Sequence, residues 1–295
     1  MPIANVPAAE VAIDEDLVRR LLRAQHPDLA DRPLRIVASG WDNVLARLGD
    51  DLVVRVPRRA LAAASILHEQ RWLGALAPRL PLPIPVPVRI GVPGEGFPWA
   101  WSVCPWFEGA SAAVAALADP GAAAAALAAF LGRLHGPAPA EAPTNAFRGV
   151  PLAARDHLVR GYVDALGGEI DRAAVERRWS EACALPAHDG PPLWIHGDLH
   201  PGNLVVRGGA LAAVVDFGDV TAGDPATDHA VAWMLFEPAT RARFRAALGG
   251  IDDVVWRRAA GNALAHGLAS LARSADTPWL ATVGRRTIAA VLAEE

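Results

Sequence analysis

The sequence contains no lysine, so each of its 28 permanently cationic side chains is an arginine. Chemistry that ordinarily uses a lysine must use something else here, because a guanidinium is a planar fork of donors and an ammonium a compact point charge. A GxxxxGK[ST] phosphate loop is excluded outright. Cysteine is nearly as scarce. Cys104 and Cys183 stand far apart with no CxxC partner, which excludes a thiolate zinc site and argues against a structural disulfide; both read as small apolar core residues. Long apolar runs are missing too: the Ala-rich stretch from Gly121 to Leu134 is broken by Arg133 and followed by His135-Gly136-Pro137, which makes it a buried helix rather than a membrane span. No basic stripe asks for a nucleic-acid backbone. The opening residues carry no basic segment followed by an apolar one, so no secretory signal is visible and the cytoplasm is the expected compartment.

What is present describes a folded, soluble chain. Its 295 residues are 52% hydrophobic and 20% charged, with a formal net charge of -4, enough to bury a core and long enough for two lobes. Leu17, Val18, Leu21 and Leu22 form one face of a helix from about Asp14 to Ala24, with Asp14 as its N-cap. "LRIVAS" (34–39), "NVLARL" (43–48) and "LVVRV" (52–56) are short β-rich runs separated by turn residues, an antiparallel meander. A helix follows from Leu61 to Leu76, with Ile66, Leu67, Leu73 and Leu76 apolar and Glu69 on the same helix. The prolines of "PLPIPVPV" (81–88) lack amide donors and confine it to an extended edge segment, and "GVPGEGFPW" turns into a strand at 100–104. Beyond Ala110 the texture is helical, at 121–135, 152–166, 172–184, 226–236, 253–274 and 279–292. The exception is a strand pair, 204–206 and 211–217. The expected class is α+β, with a small antiparallel-sheet N-terminal lobe at 1–104, a linker at 105–110 and a mostly helical C-terminal lobe at 111–295.

The densest polar stretch is "WIHGDLHPGNLVV" (194–206). A metal site at His196, Asp198 and His200 lacks partners, since only Asp228-His229 could supply a second cluster. Both histidines read instead as structural residues whose rings bond to backbone carbonyls. Asp198 is followed by Asn203, and after a hairpin by "VVDFGD", whose Asp216 is thirteen residues beyond Asn203. The hairpin folds Asn203 and Asp216 back toward one point. This order resembles the kinase arrangement of a catalytic-loop aspartate, an asparagine and a DFG aspartate.

"HGDLHPGN" with "VVDFGDVTAGDPATD" is similar to the aminoglycoside phosphotransferase family, which has the protein-kinase-like fold and includes macrolide, choline and homoserine kinases. "SGWDN", "VVRVPRR" and "HEQRWLGALAPRLPLPIPVP" stand where that family has its nucleotide-covering loop, third strand, and following helix and linker strand. The resemblance implies transfer of the γ-phosphoryl group of ATP or GTP, with Mg²⁺, to a hydroxyl of a small molecule. It places Asp198 at the acceptor hydroxyl, Asn203 and Asp216 on the metal, and Ser39, Gly40 and Asn43 in the turn over the nucleotide phosphates. Arg55 stands where the family has its phosphate-binding lysine, with Glu69 as candidate partner. A guanidinium can hold phosphate oxygens and a carboxylate together; otherwise Arg55, Arg58 and Arg59 form a solvated strand edge. The turn at Ser39–Asn43 has one glycine, so a plain β-turn stays open beside a phosphate loop. Trp106, in the linker where the family has its purine-binding hinge, lines that pocket or packs as a core aromatic.

Three further aspartates follow the DFG-like turn and are left out of the catalytic set. Asp224 reads as the N-cap of the next helix, Asp228 as a tie between that helix and the catalytic loop, and Asp219 has no assigned role. The acceptor is the least legible part. A polycationic aminoglycoside needs converging carboxylates, for which Asp156, Asp164, Glu169, Glu181, Glu237 and Asp276 are available. A macrolide needs an apolar wall, for which Trp233, Trp256 and Trp279 are available; the N-terminal motifs lean toward this end of the family. A metabolic acceptor resembling choline or a sugar, and a non-catalytic kinase-fold nucleotide-binding module, are the alternatives. The family's usual monomeric state is the expectation, with no nucleic-acid or membrane partner.

Overall fold

The structure is a computed structural model that describes residues 7–294. The reading of the opening segment as free of a secretory signal falls partly on residues outside that range. The chain begins with α1 (Glu15–Gln25), whose first turn is capped where Leu17 N donates to Asp14 Oδ1 at 2.8 Å. The apolar stripe of α1 is fully inside: Leu17, Val18, Leu21 and Leu22 pack with Val54, Val56, Trp101 and Val103 of the sheet. Each such side chain contributes about 1.5–3 kcal/mol by leaving water.

The sheet is the meander read from the sequence. Strands β1 (Leu34–Ser39), β2 (Asn43–Leu48) and β3 (Leu52–Pro57) are joined by α2 (Ala60–Leu76) to β4 (Arg89–Gly91) and β5 (Trp101–Pro105), in the order β1-β2-β3-β5-β4, every neighbour antiparallel. Arg55 lies on the central strand, opposite Leu45 on one side and Ser102 on the other. The proline run precedes β4 as extended chain outside the strands; Val88 N donates to Val103 O. On α2 the inward stripe is Ile66, Glu69, Leu73 and Leu76, while Leu67, expected among its apolar positions, is exposed. A helix repeats every three to four residues, so once Ile66 and Leu73 face inward the position between them is that of Glu69.

After β5 the chain is mostly helical: α3 (Pro120–Leu134), α4 (Asp156–Leu166), α5 (Arg172–Cys183), the short α6 (Ala226–His229) and α7 (Val231–Leu235), then α8 (Pro238–Ala247), α9 (Asp253–Ala272) and α10 (Pro278–Leu292). The helix expected across 226–236 is thus two short helices that meet at Ala230, and the one expected to start at Leu152 opens with a 3₁₀ turn, Leu152–Arg155. Small strands support the loops between these helices: β6 (Ala110–Ser111) pairs with β8 (Leu204–Arg207), β8 with β9 (Ala210–Val214), and β7 (Leu193–Ile195) with β10 (Thr221–Gly223). One apolar cluster runs through this part and takes in Leu73 and Leu76 from α2. Among the described residues no helix is long and apolar enough to cross a membrane.

Candidate active site

The loop after β7 is held from beneath by Asp228 of α6. Its carboxylate accepts from the consecutive amides of His196 (2.7 Å) and Gly197 (2.9 Å) and from His135 Nε2 (3.0 Å). Burial works against this charge, but these partners hold the carboxyl below the usual range. Only glycine fits at 197, where φ is +85° and a Cβ would lie 2.3 Å from Asp219 O. His196 Nε2 donates to Val215 O at 2.9 Å, and His196 Nδ1 accepts from Asp198 N at 3.2 Å. Asn203 Nδ2 donates to Asp198 O, and Val215 N donates to Asn203 O, both at 2.9 Å. These bonds lock 196, 198, 203 and 215 into one circuit, which sets Asp216 beside Asn203. His196 therefore makes the carbonyl bond expected of it. His200 differs: its Nδ1 accepts from Gly202 N at 3.0 Å, and its Nε2 lies 3.6 Å from Asp198 Oδ2.

Asp216 adopts φ +62°, a left-handed conformation that aspartate tolerates better than most residues. Its carboxylate is 56% exposed and accepts from Arg55 Nη2 at 3.3 Å, while Arg55 Nη1 donates to Glu69 Oε1 at 2.7 Å. Glu69 is 1% exposed; its burial pushes the carboxyl up to about 7, and the Arg55 charge pulls the other way. The alternative of a solvated strand edge is not what the structure has at Arg55. Arg58 and Arg59 bind the preceding turn, through Gly40 O (2.7 Å) and Asp42 Oδ1 (2.6 Å).

That turn runs from Ser39 to Asn43 and is closed by Gly40 N donating to Asn43 O at 2.9 Å. Asn43 Oδ1 is buried with no partner. Burial raises the Asp42 carboxyl, Arg59 lowers it, and the charges of Asp216 and Asp219 raise it further, which puts the turn in electrostatic reach of the DFG-like segment. The Trp41 ring takes the guanidinium of Arg273 over its face at 4.8 Å. Trp106 is not joined to this group by any contact described. Its ring lies beneath Arg47, at 4.4 Å, and its indole N–H has no partner.

A second arginine, unmarked in the sequence, sits on the other carboxylate. Arg148 Nη2 donates to Asp198 Oδ1 at 2.5 Å and Arg148 Nε to Asp219 Oδ2 at 2.8 Å, and Asn145 Nδ2 donates to Asp219 Oδ1 at 3.0 Å. Burial penalises the Asp198 charge, yet Arg148 first and His200 next hold its carboxyl well below the usual range. The backbone behind Arg148 is fixed. Gly149 has φ +68° and touches Gly223, where a Cβ would lie 2.8 Å from the Gly223 Cα, and its amide and carbonyl bond to Thr227 Oγ1 and Asp224 N. Asp224 accepts from Ala226 N, as a cap would, and also pairs with Arg258 Nε at 2.7 Å.

Beside Asp198 is a narrow, open cleft, lined among others by Arg148, Arg155, Thr227, Met234, Asn262 and His266. The carboxylates available for a polycation do not line it. Asp156 pairs with Arg160, Asp164 with Arg172, Glu169 with Arg285, Glu181 with Arg178 and Glu237 with Arg286. Trp233 and Trp256 are core residues packed on each other at 4.5 Å. Only Trp279 of the three tryptophans approaches the loop, stacked on His200 at 5.8 Å.

Among the described residues no cluster of three or more His, Cys, Asp or Glu could hold a metal ion by itself. The amide of Asn203 and the exposed carboxylate of Asp216 nevertheless fit Mg²⁺, a hard cation that binds through one or two protein oxygens and completes its shell with water and phosphate.

An antiparallel N-terminal sheet carrying a buried Arg–Glu pair, set against a mostly helical part whose hairpin brings Asp198, Asn203 and Asp216 together, defines a protein-kinase-like fold. Comparison with known proteins agrees. Residues 33–261 match the family model described as the phosphotransferase enzyme family, and the chain belongs to that family. Among solved structures it is similar to aminoglycoside 2'-phosphotransferase-IIIa in complex with GDP, at 21% identity and TM-score 0.73 over 95% of this chain and 99% of that one. It is similar also to macrolide 2'-phosphotransferase MphH from Brachybacterium faecium, at 22% identity and TM-score 0.61 over 96% of this chain and 99% of that one. A third is the streptomycin–ATP ternary complex of APH(2")-IIa, at 18% identity and TM-score 0.61 over 88% and 91%. No curated protein matches the chain.

Proposed function

We propose that this phosphotransferase moves the γ-phosphoryl group of ATP or GTP, with Mg²⁺, to a hydroxyl of a small molecule, residues 1–104 binding the nucleotide, 105–110 acting as hinge and 111–295 holding the acceptor. The observation that carries this is the bonded circuit of His196, Asp198, Asn203 and Val215, which brings Asp198 and Asp216 to one place, with Arg55 reaching Asp216 at 3.3 Å. The nucleotides named in the solved neighbours, GDP and ATP, point the same way.

Each residue then has a task that follows from its surroundings. Arg55, fixed by Glu69, keeps its charge at any working pH and turns its second nitrogen toward the phosphates. The turn at Ser39, Gly40 and Asn43 covers those phosphates, and Trp106 borders the base. Asn203 and Asp216 would hold the metal ion, which when bound neutralises phosphate charge. Asp198 gives Oδ1 to Arg148, and its Oδ2, 3.6 Å from His200 Nε2, is the oxygen that faces the acceptor hydroxyl in this reading. Held well below the usual carboxylate range, it orients the hydroxyl and takes its proton late rather than ionising it beforehand.

The acceptor is an antibiotic hydroxyl in the first reading, of the aminoglycoside or macrolide class handled by the solved neighbours, with a monomer as the working state. A metabolic small molecule is the second, favoured by the arginines beside Asp198. The test is nucleotide consumption with Mg²⁺ against aminoglycosides, macrolides, amino alcohols and hydroxy acids. Asp198→Asn is expected to lower kcat by about 10²–10⁴, about 3–5 kcal/mol of transition-state stabilisation, with nucleotide affinity kept. Full turnover in that variant would remove Asp198 from its role. Nucleotide binding with no turnover on any acceptor would favour a binding module.

A further inference from the structure

The cleft beside Asp198 contains an unusual arginine. Four arginines of the described chain are more than nine-tenths buried: Arg55, Arg155, Arg241 and Arg258. Three of them pair with a carboxylate, of Glu69, Glu294 and Asp224 respectively. Arg155 pairs with none among the described residues. Its Nη1 donates to Asn262 Oδ1 at 3.2 Å, and its Nε is buried with no partner. Burial, then repulsion from Arg148, pulls its guanidinium down to about 10.

A buried cation without a counter-ion is destabilising, and its donors call for an acceptor that the described residues do not supply. Arg155 borders the same cleft as Arg148, with Asn262 and His266 beside it. Burial holds His266 at about 3, so that ring is neutral at working pH. The charged groups that line the cleft are therefore two arginines, Arg148 and Arg155, against the one carboxylate of Asp198, whose Oδ1 already accepts from Arg148. Such a cleft repels an ammonium-rich acceptor.

We infer that Arg155, with Arg148 on the same cleft, forms a subsite for an oxyanion of the acceptor, a carboxylate or phosphate ester carried near the hydroxyl that receives the phosphoryl group. This rests on the phosphotransferase reading and favours the second of its two acceptor classes. The fork of a guanidinium suits either oxyanion. An incoming anion supplies Arg155 with its missing counter-ion and offers Arg148 a partner other than Asp198.

The experiment is a thermal-shift titration of the full chain with D-gluconate, D-glucose 6-phosphate, neutral D-sorbitol and polycationic kanamycin, with and without Mg-ADP. A rise in Tm with gluconate or glucose 6-phosphate, absent with sorbitol and kanamycin, is expected. Gluconate alone would assign a carboxylate and glucose 6-phosphate alone a phosphate ester. In Arg155→Met the oxyanion shift should disappear while the Mg-ADP shift persists, and Arg155→Lys, which keeps the charge, should retain part of it. Equal shifts with sorbitol or kanamycin, an oxyanion shift that survives Arg155→Met, or no shift with either oxyanion would overturn the inference. Loss of the Mg-ADP shift in the unaltered protein would instead count against the phosphotransferase reading, and the oxyanion arm is then read without nucleotide.

Discussion

Two arginines in this protein each stand between two carboxylates, and they differ in how much water reaches them. Arg55 bridges Glu69 and Asp216 beneath the N-terminal sheet, with Glu69 1% exposed. Arg148 bridges Asp198 and Asp219 at the cleft, where those side chains are 26% and 34% exposed. The inner group is anchored on one side by a carboxylate with no access to solvent, so its geometry is fixed before any ligand arrives. The outer group is only partly buried, and an incoming ligand can reach its partners where none can reach Glu69. A site that transfers a group needs both kinds: one to hold the donor still, one to be rearranged by the acceptor.

Breaking the inner group should have the larger effect. Glu69→Gln leaves the Arg55 charge buried and poorly paired, and is expected to cost about 3–5 kcal/mol of stability, measurable as the midpoint of urea unfolding. A loss under about 1 kcal/mol would mean that the pair is better solvated than its burial indicates. Acid separates the regions by sign. His229 and His266 are both held at about 3, chiefly by burial, so the unfolded chain binds protons that the folded chain does not. Their contribution is present above the unfolded value near 6.5 and is lost as pH falls below it, at about 1.4 kcal/mol per pH unit for each ring. Glu69 is raised, which gives the opposite slope between its ordinary value and about 7. Denaturant titrations from pH 7 to 5 should show net destabilisation, and His266→Gln should flatten it.

The outer group should answer in catalysis more than in stability. Because Arg148 depresses the Asp198 carboxyl, kcat/KM should show no acid limb from Asp198 down to about pH 5. In Arg148→Met that limb should move up into the measurable range, and an unchanged profile would mean that His200 alone sets the charge. The smallest effect belongs to exposed pairs outside both groups: Arg172→Ala, which removes the pairs with Asp164 and Glu176, should leave the urea-unfolding midpoint unchanged.

The contrast also explains what could be read from the sequence. The first three strands were legible because apolar alternation and turn residues are local signals. Helix α8, "PATRARFRAA", was not: it is anchored inside by Arg241 and Phe244 alone, too few to make a stripe. Strands β6, β7 and β10 are two or three residues long and exist only through their partners. In the site, Asp198, Asn203 and Asp216 stand at spacings a motif records, and Arg55 and Glu69 lie on a strand and helix that local patterns define. Arg148 and Arg155 carry no such mark. They lie about fifty and forty residues before Asp198, Arg148 in an irregular segment and Arg155 at the end of the 3₁₀ turn before α4, and only the folded chain brings them to it. Five of the acidic residues considered for the acceptor, with Trp233 and Trp256, are engaged elsewhere for a related reason, while Trp279 does reach the loop. Composition supplies candidates, but ion pairing on helix faces and packing in the core claim them first.

The contact of Gly149 with Gly223 has a mechanical consequence. The residue behind Arg148 is clamped on both faces, so the peptide there is a fulcrum and the arginine a lever pivoting about its own side-chain bonds. Any rearrangement of Arg148 then turns about those bonds, while the backbone behind it stays in place.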